Sequence, residues 1–478
     1  MVCALFWLPL GLTIAPLILL FTERGMAMVA ITGFFAAHSL TTAALELPTG
    51  GLSDVVGRRA VLATAGLVNL AALTLQGLGT TAWVLAFGMS LMGAGRALSS
   101  GPAEAWFVDT VQAHSGPGAE LRTGLARGSS ATSAALATGT LLGGGLPWLL
   151  GLGPDLGSRL SEATSGLVLP LSVPLLLGAG IEVVFVLYVL TALPEPPRPP
   201  ATLRGVIQGI PATVAGGLRL GGRDVLVRRI LLSAGAAGAA LTTIELLTPG
   251  RAADLTGTSE SGAVLYAGLA CTGFVCSGVG SHLAPLVARL AGSGERAVLM
   301  SLSTSASGLL LLAATVTSAS SVSLGLAAAG YGLVHLGLGA AGPSENDLLH
   351  RRVASSGRAT ALSVQSLALQ LAAALTGLAI GTLPTGPLPW LLGATALLAG
   401  ALLWTRRGKP TQPAIGPRPD RAARGQRLTA TVPLESDGGT ESGRALPVSG
   451  PAVLARRTPP SRWYRRPGWW GSPERDAP

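Results

Sequence analysis

The stretch Gly50-Gly51-Leu52-Ser53-Asp54-Val55-Val56-Gly57-Arg58-Arg59-Ala60-Val61-Leu62 stands between two apolar runs. Residues 25–45 before it and 60–95 after it contain no Asp, Glu, Lys or Arg. Each run reaches the ~20 residues that a helix needs to cross the hydrocarbon core of a bilayer. The charged patch between them therefore reads as a short turn at a membrane surface. Gly50 and Gly57 suit a tight turn and close helix approach. Asp54 can accept hydrogen bonds or face the positive end of a neighbouring helix, and Arg58 and Arg59 anchor the patch at the surface.

Composition agrees. Charged residues make up 12% of the 478, hydrophobic residues 49%, and mean hydropathy is +0.54. An ordinary soluble domain carries roughly 25% charge, so this chain cannot cover a water-facing surface. The runs are continuous rather than alternating with period 2, which selects helices over a barrel. Sixty-six glycines fit helices that pack closely in lipid. Cys3, Cys271 and Cys276 all fall in apolar runs and support neither a disulfide framework nor a metal site.

Twelve spans follow: 3–22, 26–48, 60–79, 83–107, 127–151, 166–193, 229–248, 261–287, 297–317, 321–342, 359–382 and 387–405. With the N-terminus inside, fifteen arginines from Arg58 to Arg358 fall in internal loops, against Arg24, Arg159 and Arg251 outside. That is the positive-inside bias. Trp83, Trp106, Trp148, Trp390 and Trp404 fall at span ends, where an aromatic belt would place them. The first span lacks the charged n-region of a signal peptide.

The expected organisation is residues 1–193 as one six-helix bundle and 194–228 as a stiff, Pro-rich cytoplasmic linker. Residues 229–405 form a second six-helix bundle, and 406–478 a disordered basic cytoplasmic tail. Gly101-Pro102-Ala103-Glu104 and Gly342-Pro343-Ser344-Glu345 close spans four and ten, a faint echo between the halves.

The spacing G-x-L-x-D-x-x-G-R-R-x-x-L at Gly50–Leu62 resembles the loop between the second and third helices of major facilitator superfamily transporters. The resemblance implies an all-α membrane fold of twelve helices in two bundles. Gly50, Leu52, Asp54, Gly57, Arg58 and Arg59 would form a conformational gating motif, with Arg58 pairing Asp109 at the end of span four. Gly95-Arg96-Ala97-Leu98-Ser99-Ser100-Gly101 resembles the family's span-four arginine motif, associated with proton coupling. Gly139-Thr140-Leu141-Leu142-Gly143-Gly144-Gly145-Leu146-Pro147 is similar to the span-five motif of bacterial drug/proton antiporters, with its Pro displaced to the end.

Arg96 sits within span four, where a guanidinium costs roughly 2.5–3.5 kcal/mol on insertion scales. It is therefore expected to face the bundle interior or a watered cavity. Glu182 is the deepest acid and a candidate proton or substrate group. Glu46 and Glu104 lie near internal span ends and are expected to pair with basic loop residues. Glu245, His38 and His335 are further intramembrane candidates.

The activity expected is proton-coupled efflux of a small lipophilic or amphipathic compound, through a cavity walled by Ala, Leu, Gly and Ser with few charges. Uptake by symport or facilitated diffusion is the alternative on the same fold. No H-E-x-x-H, no partnered G-x-S-G and no G-x-x-x-x-G-K-[ST] occurs, which argues against an enzyme or nucleotide coupling. Expected partners are membrane lipid, protons and a small-molecule substrate, with no nucleic acid and no cofactor beyond the proton gradient. The protein is expected to act as a monomer in a bacterial inner membrane, both termini cytoplasmic.

Overall fold

Apolar runs become helices here, and Gly or Pro stands at several of their ends, although Pro48, Pro249, Pro285 and Pro343 lie inside helices. The computed structural model describes residues 1–116, 120–195, 204, 219, 222, 224–318, 320–353 and 358–405, apart from the side chains at 47, 50, 51, 54, 122 and 358–360. Most of the 194–228 linker and the whole 406–478 tail lie outside these residues. The first apolar run is two helices, α1 (Val2–Ile14) and α2 (Leu17–Glu23), bent by 43°. Pro16, which has no amide hydrogen to donate, stands at the break.

The patch expected to be a surface turn is mostly helix. α3 (Met28–Val56) runs through Gly50 and Asp54, and α4 (Arg58–Leu78) starts two residues after it ends. Gly57 alone makes the turn, at φ +109°, a conformation that a β-carbon disfavours. Span four likewise divides into α5 (Ala82–Ser99) and α6 (Pro102–Ser115), because Gly101 adopts φ +94° and Pro102 opens the next helix.

The series continues with α7 (Arg122–Leu150), α8 (Leu156–Ala163), a 3-10 turn at Pro170–Ser172 and α9 (Val173–Ala192). After the linker come α10 (Val225–Thr256), α11 (Ser259–Ala291), α12 (Gly294–Ala314), α13 (Ser321–Arg352), α14 (Arg358–Thr382) and α15 (Pro387–Leu402). Gly342 and Pro343 do not break α13, so the echo between the halves is one of sequence and not of helix ends.

Among the described residues, nine helices are long and apolar enough to cross a bilayer, and the bent α1–α2 pair makes a tenth. α5, whose mean hydropathy Arg96 lowers, and the 16-residue α15 complete the series of twelve. α10, α11 and α13, at 32 or 33 residues, are about 48 Å long and outrun the hydrocarbon core.

Helix packing repeats between the halves. In the first half α1 packs on α7 and α9, α5 on α3 and α4, and α4 on α9. In the second, α10 packs on α14 and α15, α13 on α11 and α12, and α12 on α15. Two seams join the halves, α3 with α14 and α7 with α11. Glycine sets the distance at several of these contacts. A β-carbon at Gly143 would lie 2.3 Å from the Leu12 carbonyl oxygen, and one at Gly144 2.5 Å from that of Ala263.

At the end opposite Gly57, an apolar cluster draws on both halves: Leu17–Phe21, Ile31 and Phe34 meet Leu246, Ala263 and Ile380. Two arginines at matching places brace it. Arg24, after α2, donates to the Gly77 and Leu167 carbonyls at 2.7 and 2.9 Å. Arg251, near the end of α10, donates to those of Leu312 and Thr315 at 3.2 and 2.6 Å. Each guanidinium thus binds the carbonyl-rich end of a helix, where a cation is favoured. Arg251→Ala should lower stability in detergent by about 2 kcal/mol, read from thermal unfolding, because charged hydrogen bonds to two half-buried carbonyls are lost.

Two of the five tryptophans depart from an interfacial belt. Trp83 is 87% exposed, but Trp390 and Trp404 are each 3% exposed. Trp404 Nε1 donates to Ser233 Oγ at 2.8 Å inside the second half, so packing against α10 claims the ring.

Candidate functional site

A cavity of about 350 Å³ lies between the halves, lined from α1, α2, α3, α5 and α7 on one side and α10, α11, α13 and α14 on the other. Arg96 enters it from α5 and Glu245 from α10, both exposed to the lumen. They lie within electrostatic reach of each other, and His38 on α3 is within reach of Arg96. Tyr266 and Tyr331 bring their hydroxyls together beside Glu245. The Tyr331 ring lies 4.8 Å from that of His335, whose Nε2 has no hydrogen-bond partner. Trp7, Phe35, Met89, Met92 and Phe274 complete an apolar wall. The lining is richer in polar and aromatic groups than the Ala, Leu, Gly and Ser expected, because the small residues are spent on helix contacts instead.

The structure thus brings together Arg96, Glu245, His38 and His335. It places Glu182 elsewhere, fully buried between α4 and α9, where Oε1 accepts from Asn69 Nδ2 at 3.2 Å and Oε2 has no partner. Glu46 was expected to pair with a basic loop residue. Its carboxylate instead accepts from Ser366 Oγ at 2.7 Å, across the α3–α14 seam that brings that hydroxyl closest. Glu104 is exposed in the first turn of α6. Tyr266 and Tyr331 escaped the sequence reading. Only four tyrosines occur, and Tyr331 lies in the middle of 321–342, a signal that could have found it, whereas Tyr266 stands near the start of 261–287 and carried none.

At the Gly57 end, Arg58 Nε donates to Asp109 Oδ2 at 2.7 Å and ties α4 to α6. The Arg58 and Arg59 amides donate to the Glu195 carboxylate at 3.0 and 3.2 Å, which satisfies two of the amides a helix start leaves open. The Arg59 guanidinium donates to the Leu190 carbonyl. Leu52 is half-buried on α3, while the Asp54 side chain lies outside the described residues. Glu195 carried no signal before the fold was known, since 136 residues separate it from Arg59.

In the second half, Asp224 caps α10 by accepting from the Leu226 and Val227 amides at 2.9 and 3.3 Å, and from Arg352 Nε. Burial raises its carboxyl pKa, but the Arg352 hydrogen bond and the two amides outweigh that and hold it below its ordinary 3.8. A depressed folded-state pKa stabilises above the unfolded value, and that contribution is lost as pH falls through the folded one. Asp224→Asn, which keeps a capping oxygen, should therefore cost about 1 kcal/mol at pH 7. The gap to wild type should close below about pH 4, in thermal unfolding measured across pH.

Two similarly packed sets of helices around a central cavity are the architecture found in secondary transporters. The chain belongs to the Major Facilitator Superfamily, whose model matches residues 2–377. Among solved structures, the nucleoside transporter NupG is similar with TM-score 0.64 and 11% identity, over 84% of this chain and 96% of that one. A D-xylose-proton symporter is similar with TM-score 0.60 and 17% identity, over 84% and 96%. The inward-open xylose transporter XylE from E. coli is similar with TM-score 0.59 and 15% identity, over 84% and 94%. At such identities the likeness is one of fold. No curated protein matches the sequence.

Proposed function

We propose that this chain is a proton-coupled exporter of small amphipathic compounds. It works by alternating access in a bacterial inner membrane, as a monomer with both termini cytoplasmic and the proton gradient as its energy source. One observation carries the reading: Arg96 and Glu245, contributed by opposite halves, share a single cavity. A proton taken up by Glu245 removes one of the two charges that face each other across the lumen. It thereby changes the balance between the arrangements of the halves. Substrate and proton compete for the same acid, which links their fluxes.

The units that rock are residues 1–193 and 229–405. The cavity is shut toward Arg24 and Arg251 by apolar residues from both halves. Among the described residues no comparable mixed cluster lies at the Gly57 end, where the apolar packing stays largely within each half. The conformation is accordingly read as inward-open, with the Arg-rich face in the cytoplasm. Gly50, Leu52, Asp54, Gly57, Arg58, Arg59 and Asp109 form the gate at that face. The partly aromatic, partly apolar wall suits a compound that reaches the cavity from lipid or cytoplasm, and this favours export over uptake.

Cells expressing the protein should lose dyes or antibiotics from a panel faster than controls, and an uncoupler should abolish the difference. Inverted vesicles should take up the same compounds only under an imposed pH gradient. Uptake that ignores the gradient would sink the coupling.

A further inference from the structure

Arg96 and Glu245 are opposite charges from the two halves, open to one lumen, where they would attract at contact. Yet no ion pair within 4.0 Å joins them, although each lies in electrostatic reach of the other. Neither side chain is drawn into a hydrogen bond with the surrounding wall among the described residues. Both remain open to the cavity. Two such groups held apart on opposite halves offer a planar, five-donor cation at one side and an acceptor-only carboxylate at the other. The same lumen is lined by aromatic and thioether groups, among them Phe35, Phe274, Met89 and Met92. The cavity volume of about 350 Å³ suits a small organic molecule rather than a lone ion.

Resting on the reading of this cavity as the transport site, we infer that the substrate class is amphoteric. Such a compound carries a carboxylate or similar oxyanion that docks on Arg96, an ammonium group that faces Glu245, and an apolar or aromatic body between them. Burying either charged end of the ligand without its partner would forfeit its hydration with nothing in exchange. A molecule with one charge leaves one cavity charge unanswered, and a molecule with none leaves both. Since each end is held by a different half, the ligand also bridges the two units, and protonation of Glu245 releases its cationic end.

The test uses Nα-dansyl-L-lysine, a fluorescent compound with a carboxylate, a distant ammonium and an aromatic body. Its methyl ester lacks the anion, and its Nε-acetyl derivative lacks the cation. Binding to the purified full chain in lipid nanodiscs at pH 7.5 is followed by dansyl fluorescence. The parent should bind at least about tenfold more tightly than either derivative. Arg96→Gln should level acid and ester while keeping the preference for the free amine, and Glu245→Gln should do the reverse. Equal binding of all three to wild type overturns the inference, as does no binding of any at millimolar concentration. So does an equal weakening of all three by both variants.

The wild-type series needs no substitution, so a misfolded variant does not decide the matter. Proton coupling is separable. The charge pattern in binding with transport indifferent to a pH gradient would leave this inference standing and remove the coupling. Coupled transport of compounds without the pattern would do the opposite.

Discussion

Glu245→Gln is expected to abolish gradient-driven transport while the protein remains folded. Initial rates into inverted vesicles, for a compound found by efflux screening, should fall at least 100-fold, about 2.7 kcal/mol on the transport barrier. The amide keeps the size and hydrogen-bonding capacity of the acid but cannot exchange a proton. Counterflow in proteoliposomes without a pH gradient needs no proton exchange, so at saturating substrate it should persist while the gradient-driven rate is lost, with the weaker binding of the variant read as a higher KM. Glu182→Gln is the informative contrast. Its carboxyl is buried between α4 and α9 with Asn69 and does not reach the cavity, so gradient-driven rates should stay within about threefold. A Glu182→Gln protein that folds normally but loses coupling would move the proton site out of the cavity.

The second large effect concerns a glycine. Gly143→Val places a side chain where even a β-carbon would sit 2.3 Å from the Leu12 carbonyl oxygen and 2.9 Å from its carbon. The obstacle is backbone, so α1 and α7 must separate. Overpacking costs about 1–3 kcal/mol, the upper end being expected where the obstacle is backbone, and unfolding in detergent should shift accordingly. Gly145→Val, two residues on, meets nothing within 4 Å and should melt close to wild type. Gly144→Val strikes a different surface, the Ala263 and Ala267 face of α11, and so acts on the seam between the halves. It should disfavour the state in which that end is shut. Equal destabilisation by the Gly143 and Gly145 changes would mean that lost helix propensity, not the α1–α7 contact, sets the cost.

Much of this was legible before any coordinates. A run without charge must lie in lipid, and a helix is the way a single run satisfies its own backbone there, so the spans follow from apolarity alone. Arg96 could be assigned to an interior because a guanidinium facing lipid is too costly. Asp109 could be named as the partner of Arg58 only through a resemblance, since 51 residues separate them and no local pattern links them.

Helix ends were less visible. Gly57 and Gly101 are ordinary glycines in sequence, and only the backbone shows that one turns the chain and the other divides span four. Gly342, in the same Gly-Pro context as Gly101, leaves its helix unbroken, so the dipeptide cannot decide the matter by itself.

The resemblance carried by Gly50–Leu62 implies a transporter's architecture, while hydropathy and charge settle, without help, that this is a helical membrane protein. These properties act residue by residue against lipid and water, and a linear chain displays them directly. Which acids share a cavity is another kind of fact. Glu182 and Glu245 look alike as lone acids in apolar runs, yet one is sealed between two helices and the other faces Arg96 across a lumen. A helix turned by 100° per residue presents a given side chain to lipid, to a neighbour or to a cavity, and only the packing of the other helices around it selects among these.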